Sequence, residues 1–299
     1  MTPPSSRRRE ESWQQALLLA PGAILIAVVV ALPIARVLQL SASRVELAEG
    51  IVLRWAGLEP TFRLWQDGRW WAALRNTLVF ALSSVAIEMV LGTAMALVLH
   101  RTFRGRGAVR ALAVLPWALP TAVMALAWAW IFNDSFGVAN DLLGRIGLAR
   151  EPIAWLAQPF TAMFALVVAD AWKTTPFVAL IVLAGLASIP QDLVDAARVD
   201  GLPPHRIFTR VILPLLAPSL VIAAAFRLVQ AFGAFDLVYV MTGGGPGGST
   251  ETVSLYAYQN YFRYLDFGYG STIAVQGALI VALLAYAITR LGPRAEDRT

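Results

Sequence analysis

The stretch Ile189-Pro190-Gln191-Asp192-Leu193-Val194-Asp195-Ala196-Ala197-Arg198-Val199-Asp200-Gly201 runs on into Leu202-Pro203-Pro204-His205-Arg206-Ile207-Phe208-Thr209-Arg210-Val211-Ile212-Leu213-Pro214. Pro190 suits the first turn of a helix, and Gly201 suits the left-handed position just past a helix end. Pro203 and Pro204 can start a second helix. The reading is two short helices joined at a glycine. Leu193, Ala196, Ala197 and Asp200 recur at helical spacing and make a small, partly apolar face. Two readings stay open on spacing alone. One is an amphipathic elbow lying on a membrane. The other is a knob that enters a soluble partner's cleft, where alanines let backbones approach closely.

Working outward, the stretch is flanked by apolar runs. The 299 residues are 58% hydrophobic and 14% charged, with a mean hydropathy of +0.64. A soluble domain carries about 25% charged residues. A water-soluble enzyme, a disordered chain and a fibrous repeat are therefore excluded, and one polytopic membrane domain is expected, since a span needs only ~20 residues. Ala16 to Ala35 is uncharged and stopped by Arg36, too long for a signal-peptide core and without a clear cleavage site. Further spans are expected at Thr77–Leu99, Val109–Phe132, Phe160–Ala187, Val211–Tyr239 and Ser271–Arg290. The fold class is thus all-α, with six transmembrane helices and both termini on one side.

Arginine sets the orientation. Of 24 basic residues only Lys173 is lysine, a skew that reads as base composition. With the N-terminus inside, the inner segments hold 13 arginines, including Arg7-Arg8-Arg9, Arg101, Arg104, Arg106 and Arg110, against 8 in the longer outer segments. By the positive-inside rule both termini are cytoplasmic. Spread through short loops, these arginines speak for topology rather than nucleic acid, despite the basic pI. The expected organisation is an inner tail 1–15, a first span 16–40 and an outer segment 41–72. A core at 73–291 follows, with an inner loop at 188–213, and then an inner tail 292–299. Trp55, Trp65, Trp70 and Trp71 in the outer segment read as interface anchors or as a docking surface.

Chemistry is scarce. No cysteine is present, and His100 and His205 lie far apart, so neither metal ligation nor thiol catalysis is expected. A phosphate-binding Gly-x-x-x-x-Gly-Lys-Ser/Thr loop is impossible, because Lys173 follows Ala171-Trp172 inside a span. The run Gly243-Gly244-Gly245-Pro246-Gly247-Gly248 has no lysine and reads as an outer turn.

The inner stretch resembles the coupling loop of binding-protein-dependent ABC importer permeases: Asp195-Ala196-Ala197, three residues, Gly201, then Ile212-Leu213-Pro214. The family usually has Glu where Asp195 stands. Trp172-Lys173-Thr174-Thr175-Pro176-Phe177 resembles the carbohydrate-uptake branch, that of maltose, trehalose and glycerol 3-phosphate. So does Phe235-Asp236-Leu237-Val238-Tyr239-Val240-Met241-Thr242-Gly243-Gly244-Gly245-Pro246 with Ser249-Thr250-Glu251-Thr252. The likeness runs from about Arg75 to Arg290. It implies the type I ABC importer permease fold with a cytoplasmic coupling helix, in a bacterial or archaeal inner or plasma membrane. It also implies a non-enzymatic permease subunit of an ATP-driven importer of di- or oligosaccharides. The implied partners are two ATP-binding subunits that hold ATP and Mg, a second permease chain and an external solute-binding protein, with lipid around it and no nucleic acid. The implied mechanism is alternating access. Asp192, Asp195, Ala196, Ala197, Asp200 and Gly201 are the expected ATPase-coupling residues.

Intramembrane charges cost about 2.5–3.5 kcal/mol each on insertion scales and so face the interior. Glu88, Asp170, Lys173, Arg227 and Asp236 are the candidates. Asp170 and Lys173, three apart, share a helix face and can pair, as can Arg227 and Gln230. Asp236 is expected about 13.5 Å beyond Arg227 along one helix. Each charge reads either as an inter-helix tether or as a lining of the solute path, for which Trp128, Trp172, Lys173, Arg227 and Gln230 are selected. Pro116, Pro120 and Pro176 free carbonyls that need partners. A secondary transporter is the rival reading, but it needs no coupling loop and no inverted repeat is evident. A membrane enzyme is third, without any paired-acid or Ser-His motif.

Overall fold

The computed structural model describes residues 18–22, 24–47, 51–149 and 151–291. The tails 1–15 and 292–299, with Arg7-Arg8-Arg9, lie outside the described residues. The chain divides into two compact units, residues 1–66 with 259–275, and residues 67–258 with 276–299.

The smaller unit opens with helix α1, Leu18–Ser41. Its apolar side chains are almost all exposed, as expected of a helix whose solvent is lipid. An antiparallel hairpin follows, β1 (Ser43–Leu47) and β2 (Ile51–Trp55), in register Ser43↔Trp55 to Leu47↔Ile51. Helix α2, Glu59–Trp65, presents Arg63, which lies 4.2 Å over the Tyr269 ring and donates to Asp266 at 3.3 Å. Glu59 pairs with Arg44. No element was expected in this segment. Trp55 and Trp65 stay exposed.

The larger unit is helical. Helix α3, Gly68–His100, starts where Asp67 caps the Arg69 amide at 2.8 Å. Its 33 residues span about 50 Å, so it overruns a ~30 Å hydrocarbon layer. The expected span Val109–Phe132 is not one helix. It is α4 (Arg106–Ala118) and α5 (Thr121–Ile131), bent by 89°. Pro120, which lacks the N–H that would continue the ladder, stands at the start of α5 and interrupts the helix there. A short α6 (Val138–Arg145) leads to α7, Pro159–Ala187, which matches the expected fourth span and is the most enclosed helix. Helix α8, Gln191–Val199, follows at once. Helix α9 runs from Pro204 to Phe232 through a π-helical stretch at Phe208–Ile212.

The expected fifth span, Val211–Tyr239, is therefore corrected. The long helix stops at Phe232, and Asp236 begins a separate helix, α10 (Asp236–Met241). After the glycine loop come α11 (Val253–Tyr258) and α12 (Phe267–Leu291), whose first turns belong to the smaller unit. Among the described residues, five helices are long and apolar enough to cross a membrane, or six if the bent α4–α5 pair counts as one span.

Small residues set how closely the central helices pack, because lipid offers no hydrophobic drive between spans. Gly92 of α3 meets α7 so closely that a Cβ would lie 2.6 Å from Val178 Cγ1. Around this contact Ala96, Val178, Ala179, Val182, Leu216 and Ala223 form one core cluster. Gly92→Ala is expected to destabilise the protein by about 1–3 kcal/mol through overpacking. Gly107→Ala, in α4 with no atom within 4 Å of the new Cβ, is expected to be neutral or slightly stabilising. Thermal unfolding midpoints in detergent compare the two, and equal shifts would rule out the tight contact.

Candidate functional site

Two helix breaks face one cavity of about 270 Å³. Trp117 and Thr121 line it from the α4–α5 bend, and Gly233, Ala234, Phe235, Asp236 and Leu237 from the α9–α10 break. Asp170, Lys173 and Thr174 of α7 and Arg227 and Gln230 of α9 complete the wall. Non-helical backbone at membrane depth is tolerated where it lines such a cavity.

The wall is built on a buried ion network that it shares with Glu88 and Ser84 of α3. Arg227, 2% exposed, donates through Nε to Glu88 Oε2 at 2.5 Å and through Nη2 to Glu88 Oε1 and Asp170 Oδ2, both at 2.9 Å. Ser84 donates to Glu88 at 3.0 Å and to Asp170 at 2.6 Å, and Thr174 donates to Glu88 at 2.7 Å. The fork geometry of guanidinium on carboxylate ties α3, α7 and α9 together. Arg227 Nη1 also donates to Gln230 at 2.9 Å, as their spacing predicts.

The expected Asp170–Lys173 pair does not form. Arg227 and Ser84 occupy the Asp170 carboxylate. Lys173 Nζ instead donates to the carbonyls of Leu119 at 2.9 Å and Trp117 at 3.2 Å. These are carbonyls freed by the bend at Pro120.

Of the residues selected from the sequence for a solute path, Lys173, Arg227 and Gln230 share the cavity. Trp128 and Trp172 do not line it. They pack edge to face at 5.8 Å, with Trp172 44% exposed, and Trp128 also stacks on Phe132 at 5.5 Å. The sequence reading named Asp236 among the candidate charges but missed Trp117, Thr121, Thr174 and the rest of the 233–237 stretch. Gly233 and Pro120 were the available signals, since both interrupt apolar helical runs. Among the described residues no group of three or more His, Cys, Asp or Glu side chains can hold a metal.

At the other end of α7, four of the residues selected for coupling, Asp192, Asp195, Ala196 and Ala197, lie on α8, with Asp200 and Gly201 just past its end. Pro190 is the cap preceding it rather than its first turn. Its C-terminus closes with Asp200 N donating to Ala196 O at 2.9 Å, Gly201 N to Arg198 O at 3.0 Å and Leu202 N to Ala197 O at 3.1 Å. Gly201 takes φ +74°, the left-handed conformation expected there. The second helix is not short, because it continues as α9. The four-residue face divides: Ala197 is buried, whereas Leu193, Ala196 and Asp200 are exposed with Asp192 and Asp195. Val199 is 87% exposed. Arg198 pairs with Asp195 at 2.6 Å.

The glycine loop is fixed to the start of α3. Arg69 makes two bonds, 2.8 and 2.7 Å, to the carboxylate of Glu251. Asn76 Nδ2 donates to Gly248 O at 2.9 Å, and Val253 N donates to Thr77 Oγ1 at 2.8 Å.

Residues 88–298 match the family described as "Binding-protein-dependent transport system inner membrane component". The trehalose/maltose transport system permease protein MalF of Thermococcus litoralis is 41% identical over 236 residues, 79% of each chain. The sulfoquinovosyl glycerol transport system permease protein SmoG of Agrobacterium fabrum is 40% identical over 259 residues, 87% of this chain and 83% of that one. In fold, a bacterial ABC transporter involved in import of the acidic polysaccharide alginate superposes with a TM-score of 0.81 at 20% identity, covering 95% and 96% of the two chains.

Proposed function

The chain belongs to the binding-protein-dependent transport system inner membrane components, the non-enzymatic permease subunits of ABC importers, and we propose that it passes a di- or oligosaccharide through the cavity between its two helix breaks. One observation carries this reading. Helix α7 supplies Asp170, Lys173 and Thr174 to the cavity wall and, three residues past its end, continues into the exposed α8. A partner that moves α8 thereby acts on the cavity.

The proposed cycle is alternating access. Two ATPase subunits bind ATP and Mg and close on each other. Their clefts carry α8 with them, the cavity turns outward, and a docked binding protein releases solute into it. Hydrolysis resets the spans. Docking outside must in turn bias the ATPase inside, because coupling is reciprocal. A second permease chain supplies the other wall. In this reading α8 faces the cytoplasm, both termini are cytoplasmic, and segment 41–72 is external.

The charges of the cavity favour a neutral, hydroxyl-rich solute. Lys173 has no ion-pair partner and Asp236 has no bonding partner among the described residues, so the two free charges are opposite and cancel. Trehalose and maltose fit that chemistry, and the 41% identical relative is named for both. Lys173 alone favours a second reading, glycerol 3-phosphate. The test is uptake of labelled trehalose, maltose and glycerol 3-phosphate by the reconstituted complex. ATP-dependent uptake of one of the disaccharides, lost when the ATPase subunits are omitted, is expected. Uptake that persists without them would make the chain a secondary transporter.

A further inference from the structure

Lys173 occupies a mechanical position that solute binding does not require. It stands on α7, fourteen residues before the helix ends at Ala187 and four further before α8 begins at Gln191. Its ammonium reaches across to α4–α5 and takes both Trp117 O and Leu119 O. Among the described residues no other group bonds these two carbonyls. A proline alone accounts for a kink of some tens of degrees, whereas α4 and α5 meet at 89°. The ion network keeps Lys173 available. With Asp170 held by Arg227 and Ser84, the carboxylate one turn away does not draw the ammonium back onto α7.

We infer that Lys173 is a positioning residue: a clasp through which displacement of α7 is passed to the α4–α5 bend, making that bent pair a moving wall of the cavity. An ammonium suits the task, having three donors on a long flexible arm, two of them spent on the bend. Lys173 also lines the cavity, so one residue stands beside the solute path and holds the wall. The link from ATPase to bend rests on the reading of α8 as the lever. The clasp itself rests only on the two bonds and the angle.

The chain has no cysteine, so introduced ones can be labelled singly. Val109 and Leu126 are exposed on the two sides of the bend. Their backbones are about 18 Å apart around a right angle and about 25 Å apart along a straight helix. The experiment measures spin–spin distances between labels at Val109→Cys and Leu126→Cys in the complete transporter in nanodiscs. Without nucleotide, Lys173→Met is expected to lengthen the distance by several ångström and broaden its distribution. Lys173→Arg, which keeps donors to both carbonyls, is expected to restore it. An unchanged distance in Lys173→Met overturns the clasp. Should Lys173→Met fail to assemble, Lys173→Gln replaces it. Its neutral arm is one atom shorter, and an unchanged distance there is equally fatal.

Vanadate trapping of the ATPase then tests the link. A second label pair at Val98 and Val199 reports on α8. When α8 moves, the Val109–Leu126 distance is expected to follow in the wild type and not in Lys173→Met. A distance that follows in both refutes the transmission. If trapping leaves α8 itself in place, the lever reading falls and the transmission falls with it, while the nucleotide-free comparison still decides the clasp.

Discussion

Replacing Arg227 with methionine is expected to cost about 3–5 kcal/mol of stability, the range found when one partner of a buried ion pair is removed. The residue is 2% exposed and its guanidinium makes three bonds to two carboxylates on two other helices. Methionine fills much of the volume, so the loss is electrostatic rather than a cavity. Without Arg227, Glu88 and Asp170 face each other across the Ser84 hydroxyl with no guanidinium between them. Arg227→Lys keeps the charge but offers a point donor in place of a planar fork, and an intermediate loss is expected. The decisive comparison is the triple variant Glu88→Gln, Asp170→Asn, Arg227→Met. Neutralising the carboxylates is expected to recover most of the stability, because the cost of a broken buried pair is the stranded charge. Denaturation in SDS titrations or the thermal midpoint of the detergent-solubilised protein checks all three. An Arg227→Met variant within about 1 kcal/mol of wild type would show that the network does not tie the helices.

How much of this was legible beforehand depended on what each signal measures. Long apolar runs fix roughly where helices cross, so α7 was found to within a residue, whereas α9, expected at 211–239, begins and ends seven residues earlier, at Pro204 and Phe232. The positions of intramembrane charges are equally plain, because each is costly unless satisfied. Their partners were not legible. The i,i+3 rule paired Asp170 with Lys173, but that rule describes one isolated helix. Here Arg227 arrives from α9, 57 residues away, with a better fork geometry and takes Asp170 first. Lys173 is left to the carbonyls that Pro120 freed. The expectation that freed carbonyls need partners was sound; which partner comes depends on tertiary placement. Hydropathy also runs straight through the breaks at Pro120 and Gly233, because a bend changes no side chain's polarity. The cavity follows from those two breaks, and so most of its wall was invisible to periodicity. The hairpin at 43–55 has the opposite cause. Its strands are only five residues each, too short for alternation to stand out beside tryptophans that read as anchors.

Ala196→Trp is expected to abolish ATP-dependent uptake, by at least a hundredfold, while leaving the amount of protein in the membrane unchanged. The structure separates it from its neighbour. Ala197 is buried against this chain, so a large side chain there disturbs the fold and proves nothing about a partner. Ala196 is exposed, and an indole at that position has room within this chain. Loss of transport in a stable Ala196→Trp variant therefore reports a surface that something outside the chain must approach closely. Gly201→Asp makes the same point by another route. No atom lies within 4 Å of a Cβ at that position, and aspartate is among the side chains that enter the left-handed region at least cost. The helix end is expected to survive at a strain of about 1–2 kcal/mol, yet uptake is expected to vanish because a new charge stands at the tip of α8. Val199, 87% exposed beside it, gives an intermediate case, and Val199→Asp is expected to lower uptake without unfolding the chain. Uptake assays in proteoliposomes, normalised to the assembled complex, check all three. Normal transport by a well-expressed Ala196→Trp variant would mean that α8 is an elbow resting on the membrane and that force from the ATPase enters the permease elsewhere.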